Sequence, residues 1–127
     1  MEPATRELDG SGKPYCYVIK RDGSKDNYSI IKIYNALAKA FESVYPQEKE
    51  RYKEKINTIS ENIDIIIQKD YFSKNDTIGI ETIQDIVEQE LSSHDEFKVM
   101  KAYIIYRYQH EKNRDDANMR NYIDAIM

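Results

Sequence analysis

The sequence predicts an α+β fold: a small N-terminal β-hairpin packed on a bundle of about four α-helices. Three observations point there. A β-branched and aromatic run, Tyr15 to Arg21, meets the turn dipeptide Asp22-Gly23. Beyond residue 29, apolar residues recur at three- and four-residue spacing in successive segments. The 127 residues, 40% hydrophobic and 33% charged, suffice for one modest core and are too few for a catalytic barrel or a dinucleotide fold with a substrate domain.

Residues 1–14 hold two of the three prolines and two of the four glycines and read as a flexible leader. Tyr15 to Arg21 has strand character, and glycine at position 23 accepts positive φ at no steric cost. Ser24 to Tyr28 returns as the second strand. Such a hairpin is marginal alone and needs helices to pack on. Ser29 is placed to cap the first helix, whose inward positions are Ile30, Ile33, Leu37, Ala40, Phe41 and Val44. Tyr45-Pro46 ends it, because a residue before proline avoids the α region. A second helix is expected from Gln47 to Lys69, with Tyr52, Ile56, Ile59, Ile63, Ile66 and Ile67 on its apolar face. Asp70 to Asp76 reads as a loop, and Thr77 to Ile80 as the lead into a third helix over Glu81 to Leu91. Ile83, Ile86, Val87 and Leu91 face inward there. The fourth helix spans Glu96 to Lys112, with Phe97, Met100, Tyr103, Ile104 and Tyr108 as its apolar set. Met119, Tyr122, Ile123 and Ile126 predict a further amphipathic turn or two.

Several function classes drop out. Cys16 is the only cysteine, so an internal disulfide framework and a multi-thiolate zinc site are excluded. No GxxxxGK[ST] or GxGxxG occurs, and His94 and His110 are isolated, so no metal site is expected. No nucleophile–base pair supports catalysis, and no catalytic residue is assigned. A net charge of −4 argues against a nucleic-acid coat, and no apolar run approaches about 18 residues. Without a signal peptide at its start, the chain is expected in the cytoplasm.

The bulk charge hides an asymmetry. Val18 to Lys32 carries Lys20, Arg21, Lys25 and Lys32 against Asp22 and Asp26. Glu96 to Arg114 carries Lys98, Lys101, Arg107, Lys112 and Arg114 against Glu96 and Glu111. Between them, Asp76 to Asp95 holds six acidic residues and no Lys or Arg. Basic elements facing each other would suit a polyanion the size of a triphosphate. Tyr103, Tyr106, Arg107 and His110 follow i, i+3, i+4, i+7 and share one helix face. Aromatic rings beside cations suit a nucleotide, and they equally suit a core helix with a surface arginine. A helical protein-interaction module indifferent to nucleotide is the alternative reading.

The blocks VIKRDGS (Val18 to Ser24), Lys32-Ile33, Ala40-Phe41, IETIQDIVEQEL (Ile80 to Leu91) and KAYIIYRYQH (Lys101 to His110) resemble, in order and spacing, the ATP-cone. This is the N-terminal allosteric nucleotide-binding domain of ribonucleotide reductases. The similarity covers about residues 16–112, so the chain divides into a leader (1–14), the cone (15–112) and a linker or terminal helical extension (113–127). IQDIVE with KAYIIYRYQ looks most like cones of the anaerobic, glycyl-radical reductases. A related repressor family carries a four-cysteine ribbon that this chain lacks.

The resemblance implies regulation rather than chemistry: ATP as activator and dATP as inhibitor, with Mg²⁺, acting through subunit association or the order of a downstream catalytic domain. It implies that Lys20 and Arg21 meet phosphates, Val18 and Ile33 flank the base, Asp26 meets the adenine amino group, and Ser29 helps read the base. Lys32 lies beside the nucleotide. Ile83 and Gln84 fall where an Ile-His pair lies in some cones. Tyr106 matches an aromatic near base or ribose, and Arg107 and His110 match the basic end of the pocket. Implied partners are adenine nucleotides, the catalytic domain of a reductase and a second copy of the chain, with no nucleic acid and no membrane.

Overall fold

A computed structural model describes residues 16–109. The readings made for the leader, for His110 and for residues 113–127 lie outside the described residues. Strands β1 (Tyr17–Ile19) and β2 (Lys25–Asn27) form the expected hairpin, pairing Val18 with Asp26 and Ile19 with Lys25. The turn closes through Gly23 N–H donating to the Lys20 carbonyl at 2.9 Å. Gly23 sits at φ +85°, and Asp22 Oδ1 accepts from both the Ser24 N–H and hydroxyl, an Asx-type turn.

The sheet has a third strand that the sequence reading missed. β3 (Thr77–Gly79) pairs in parallel with β1, Val18 opposite Ile78, giving the order β2-β1-β3. Three residues are too few to display alternation, so Thr77 to Gly79 read only as a helix lead-in. Ile78 is buried beneath the sheet.

Helices α1 (Ile30–Val44), α2 (Lys49–Ile67), α3 (Ile80–Ser93) and α4 (97–109 in the described part) complete the fold. Ser29 occupies the N-cap position of α1 in extended conformation, yet its hydroxyl makes no capping bond; its carbonyl takes the Lys32 N–H at 3.2 Å. α2 begins two residues later than expected, because Gln47 holds a left-handed φ of 67° that no helix accommodates. Residues 70–72, expected in a loop, instead continue α2 as a π-helical turn, Gln68–Phe72, which buries Phe72.

The core lies between the helices and under the sheet. Leu37, Ile59, Ile63, Ile67, Leu91 and Val99 are its largest fully buried side chains. At the α1–α2 corner Tyr45 stacks on Tyr52 at 4.5 Å, with Phe41 beside both. The apolar faces of α1 to α3 match expectation, with Ile30, Val44, Tyr52 and Ile66 only partly buried. α4 is rotated from the predicted register. Val99 and Tyr103 are buried and Met100 partly so, whereas Phe97 (54%), Ile104 (39%) and Tyr108 (65%) are exposed. Apolar residues on both sides of this helix leave its periodicity ambiguous. Just before the helix, the buried Glu96 is bound by Lys55 at 2.5 Å. Among the described residues no helix is long and apolar enough to cross a membrane.

Ile63→Ala leaves a cavity in the core face of α2. It should cost about 2–5 kcal/mol in chemical denaturation, without changing the far-ultraviolet dichroism of the folded chain.

Candidate functional site

A cavity of about 330 Å³ opens between the hairpin and helices α1, α3 and α4. The sheet places Val18 from its central strand in the wall and Lys20 and Arg21 just beyond it, at the turn. Asp26 comes from the opposite position on β2. The first turns of α1 bring Ser29, Lys32 and Ile33. On α3, Ile80, Ile83, Gln84 and Val87 follow i, i+3, i+4, i+7 and form one wall. Tyr103 and Tyr106, one turn apart, close the cavity from α4.

Of the residues singled out in the sequence, Val18, Lys20, Arg21, Asp26, Ser29, Lys32, Ile33, Ile83, Gln84 and Tyr106 all line this cavity. Arg107 does not. It turns to α3, bonding Asp85 at 3.0 Å and, more closely, Glu88. Asn27, Tyr28, Ala36, Ile80, Val87 and Tyr103 also line it. The α3 and α4 residues among them were signalled by helical spacing with Ile83 and Tyr106, whereas nothing in the sequence marked Asn27 or Tyr28.

The cavity is polarised. Ile33 (8%), Ile83 (5%), Val87 (2%) and Tyr103 (5%) make a buried inner end. Lys20, Arg21 and Lys32 stand at the exposed rim, each with an acidic partner. Asp26 Oδ2 accepts from Lys32 Nζ at 2.6 Å and pairs with Lys20 Nζ at 3.7 Å. The Lys32 hydrogen bond and charge hold the Asp26 carboxyl below the usual carboxylate range. Arg21 donates to Glu81 at 2.6 Å and to Gln84 at 3.1 Å. Acidic α3 thus pairs with both the basic hairpin and basic α4.

Tyr28 braces one wall. Its hydroxyl donates to Asp64 Oδ1 at 2.7 Å, and its ring meets Phe72 edge-on at 5.1 Å. Burial, and then the bond to Asp64, push the phenol far above its ordinary value.

Comparison with known proteins fits this geometry. Residues 16–112 match the family described as the ATP cone domain. This chain belongs to the ATP-cone family. The cone is also similar to the ribonucleoside-diphosphate reductase alpha subunits of Chlamydia trachomatis (35% identical) and Chlamydia muridarum (32%), each over 102 residues and 78% of the chain. The chain spans about a tenth of the length of these curated relatives. Both are diphosphate reductase subunits, which overturns the expected likeness to the anaerobic, glycyl-radical reductases. The blocks behind that expectation supply Ile83, Ile86, Val87 and Tyr103, which pack the cone's own interior and say little about the enzyme attached to it.

Tyr28→Phe removes one hydrogen bond and should cost about 1 kcal/mol near neutral pH. The folded-state phenol titrates above its unfolded value, so its stabilisation is complete below about pH 10 and is lost as pH rises further. Denaturation in alkali should therefore show a smaller fall in stability for the variant than for the wild type.

Proposed function

We propose that this ATP cone binds ATP and dATP as alternative effectors in the cytoplasm and so sets the overall activity of a ribonucleotide reductase catalytic domain. The observation that carries this reading is the polarised cavity, with apolar inner walls sized for a base beneath a rim bearing Lys20, Arg21 and Lys32. Its volume falls at the low end for small-molecule sites, which suits a buried nucleoside with phosphates left at the mouth. Lys20 and Arg21 take phosphate oxygens through charge-assisted bonds, with Lys32 beside them. Val18, Ile33 and Ile83 hold the base, Tyr106 lies against base or sugar, and Asp26, Ser29 and Gln84 supply polar contacts. Arg107, engaged by Asp85 and Glu88, takes no direct part, and His110 is assigned to the basic end of the pocket. Mg²⁺ travels with the triphosphate, held by phosphate oxygens and water; Asp26, the carboxylate at the rim, is already shared by two lysines.

ATP and dATP differ by one hydroxyl, worth only a few kcal/mol at most. Activation by one and inhibition by the other require that they favour different states, because equal affinity for two states shifts nothing. Nucleotide-dependent self-association, or a change of order in the attached catalytic domain, supplies such a pair of states.

Calorimetry tests the reading. The wild-type chain should bind ATP and dATP at about micromolar levels (roughly 8 kcal/mol of binding free energy). Lys20→Ala combined with Arg21→Ala should abolish binding. No heat and no thermal stabilisation with either nucleotide would sink the proposal. Association that is indifferent to nucleotide in mass measurements would favour a plain protein-interaction module.

Glu81 competes with phosphate for Arg21, so Glu81→Gln should tighten ATP binding by at most a few-fold, the scale of an exposed ion pair. The gain should shrink as salt is raised.

A further inference from the structure

Tyr103 stands apart from the other polar groups of the cavity. It lines the wall, is 5% exposed, and its hydroxyl meets no hydrogen-bond partner among the described residues. Tyr28, which also lines the cavity, has Asp64. Asp85 and Glu88, the acids whose charge acts on its phenol, are both engaged by Arg107. A buried hydroxyl without a partner carries a desolvation penalty, and such a group calls for an explanation. Phenylalanine would pack as well without that cost.

Position indicates what would satisfy it. Tyr103 shares the buried inner end with Ile83 and Val87, while the cations stand at the exposed rim. A nucleotide with its phosphates at that rim brings its nucleoside inward. Base and sugar both present donors and acceptors, and a phenol offers one donor and acceptor lone pairs.

We propose that the Tyr103 hydroxyl is a specificity-determining contact that hydrogen-bonds the nucleoside part of the bound nucleotide. This rests on the nucleotide-binding reading above. The described residues give this hydroxyl no protein partner, and the ligand supplies one. Discrimination follows, because a ligand that cannot reach the hydroxyl leaves it buried and unpaired.

The test compares wild type, Tyr103→Phe and the control Tyr108→Phe, whose ring is 65% exposed. Each full chain is titrated with ATP, dATP, ITP and inorganic tripolyphosphate, and its melting point is measured without ligand. Tyr103→Phe should weaken ATP binding roughly three- to tenfold, the worth of one hydrogen bond. Its ligand-free melting point should be unchanged or higher, tripolyphosphate binding unchanged, and Tyr108→Phe indistinguishable from wild type. A loss shared by ATP and dATP but smaller for ITP places the contact on the base. A loss confined to ATP places it on the 2′-hydroxyl, and either supports the proposal. Unchanged ATP affinity in Tyr103→Phe, or an equal loss for tripolyphosphate, overturns it while leaving nucleotide binding intact. A wild-type chain that binds no nucleotide overturns both readings together.

Discussion

The molecule hangs on a strand of three residues. β1 lends one edge to β2 and the other to β3, so its backbone bonds tie together segments distant in sequence, Lys25–Asn27 and Thr77–Gly79. The Tyr17 N–H donates to the Asp76 carbonyl at 2.7 Å on one side, and the Cys16 carbonyl takes the Tyr28 N–H at 2.8 Å on the other. Register decides everything that follows, because a slip of one residue would turn Val18 out of the cavity and bring a neighbour's side chain in. With Val18 opposite both Asp26 and Ile78, the strand delivers Lys20 and Arg21 to the start of α3, where Glu81 and Gln84 meet Arg21.

The electrostatics follow from that placement. Acidic α3 gives both arginines counter-ions before any ligand arrives, and Asp26 on β2 serves the two lysines. Arg21 has Glu81, Arg107 has Asp85 and Glu88, and Lys20 and Lys32 share Asp26. The rim pairs with Glu81 and with Asp26 are exposed enough to exchange for other anions at little cost, whereas Arg107 is more enclosed. The charge asymmetry along the sequence thus becomes a set of exchangeable pairs, not a bare positive pocket.

What the sequence disclosed followed the strength of each local signal. The hairpin announced itself through Asp22-Gly23, and α1 to α3 through apolar residues mainly on one side, Ile31 and Ile65 being the large exposed exceptions. β3 was too short to show a period. α4 was misread because Phe97, Ile104 and Tyr108 form a second stripe opposite Val99 and Tyr103, and local spacing cannot say which stripe the core takes. At the site, the conspicuous cations and aliphatic residues were legible from ordered blocks. Their acidic partners were not, since Arg21–Glu81 spans sixty residues and only the sheet brings the two together. Tyr28 was invisible for the same reason, because its partner Asp64 lies on α2.

The parallel pairing of β1 with β3 also bears on how the domain is made. α1 and α2 are neighbours in sequence, and their aromatic corner needs only a short loop to close. The cavity draws its walls from positions as distant as Val18 and Tyr106. Contacts of such sequence separation form late, after loop entropy has been met by local structure. The hairpin and α1 hold much of the lining, but only the folded whole adds α3 and α4, and whatever fills the cavity clasps β1 and α4 at once. Occupancy then works as a late fastening on the whole fold, favouring the native ensemble by mass action.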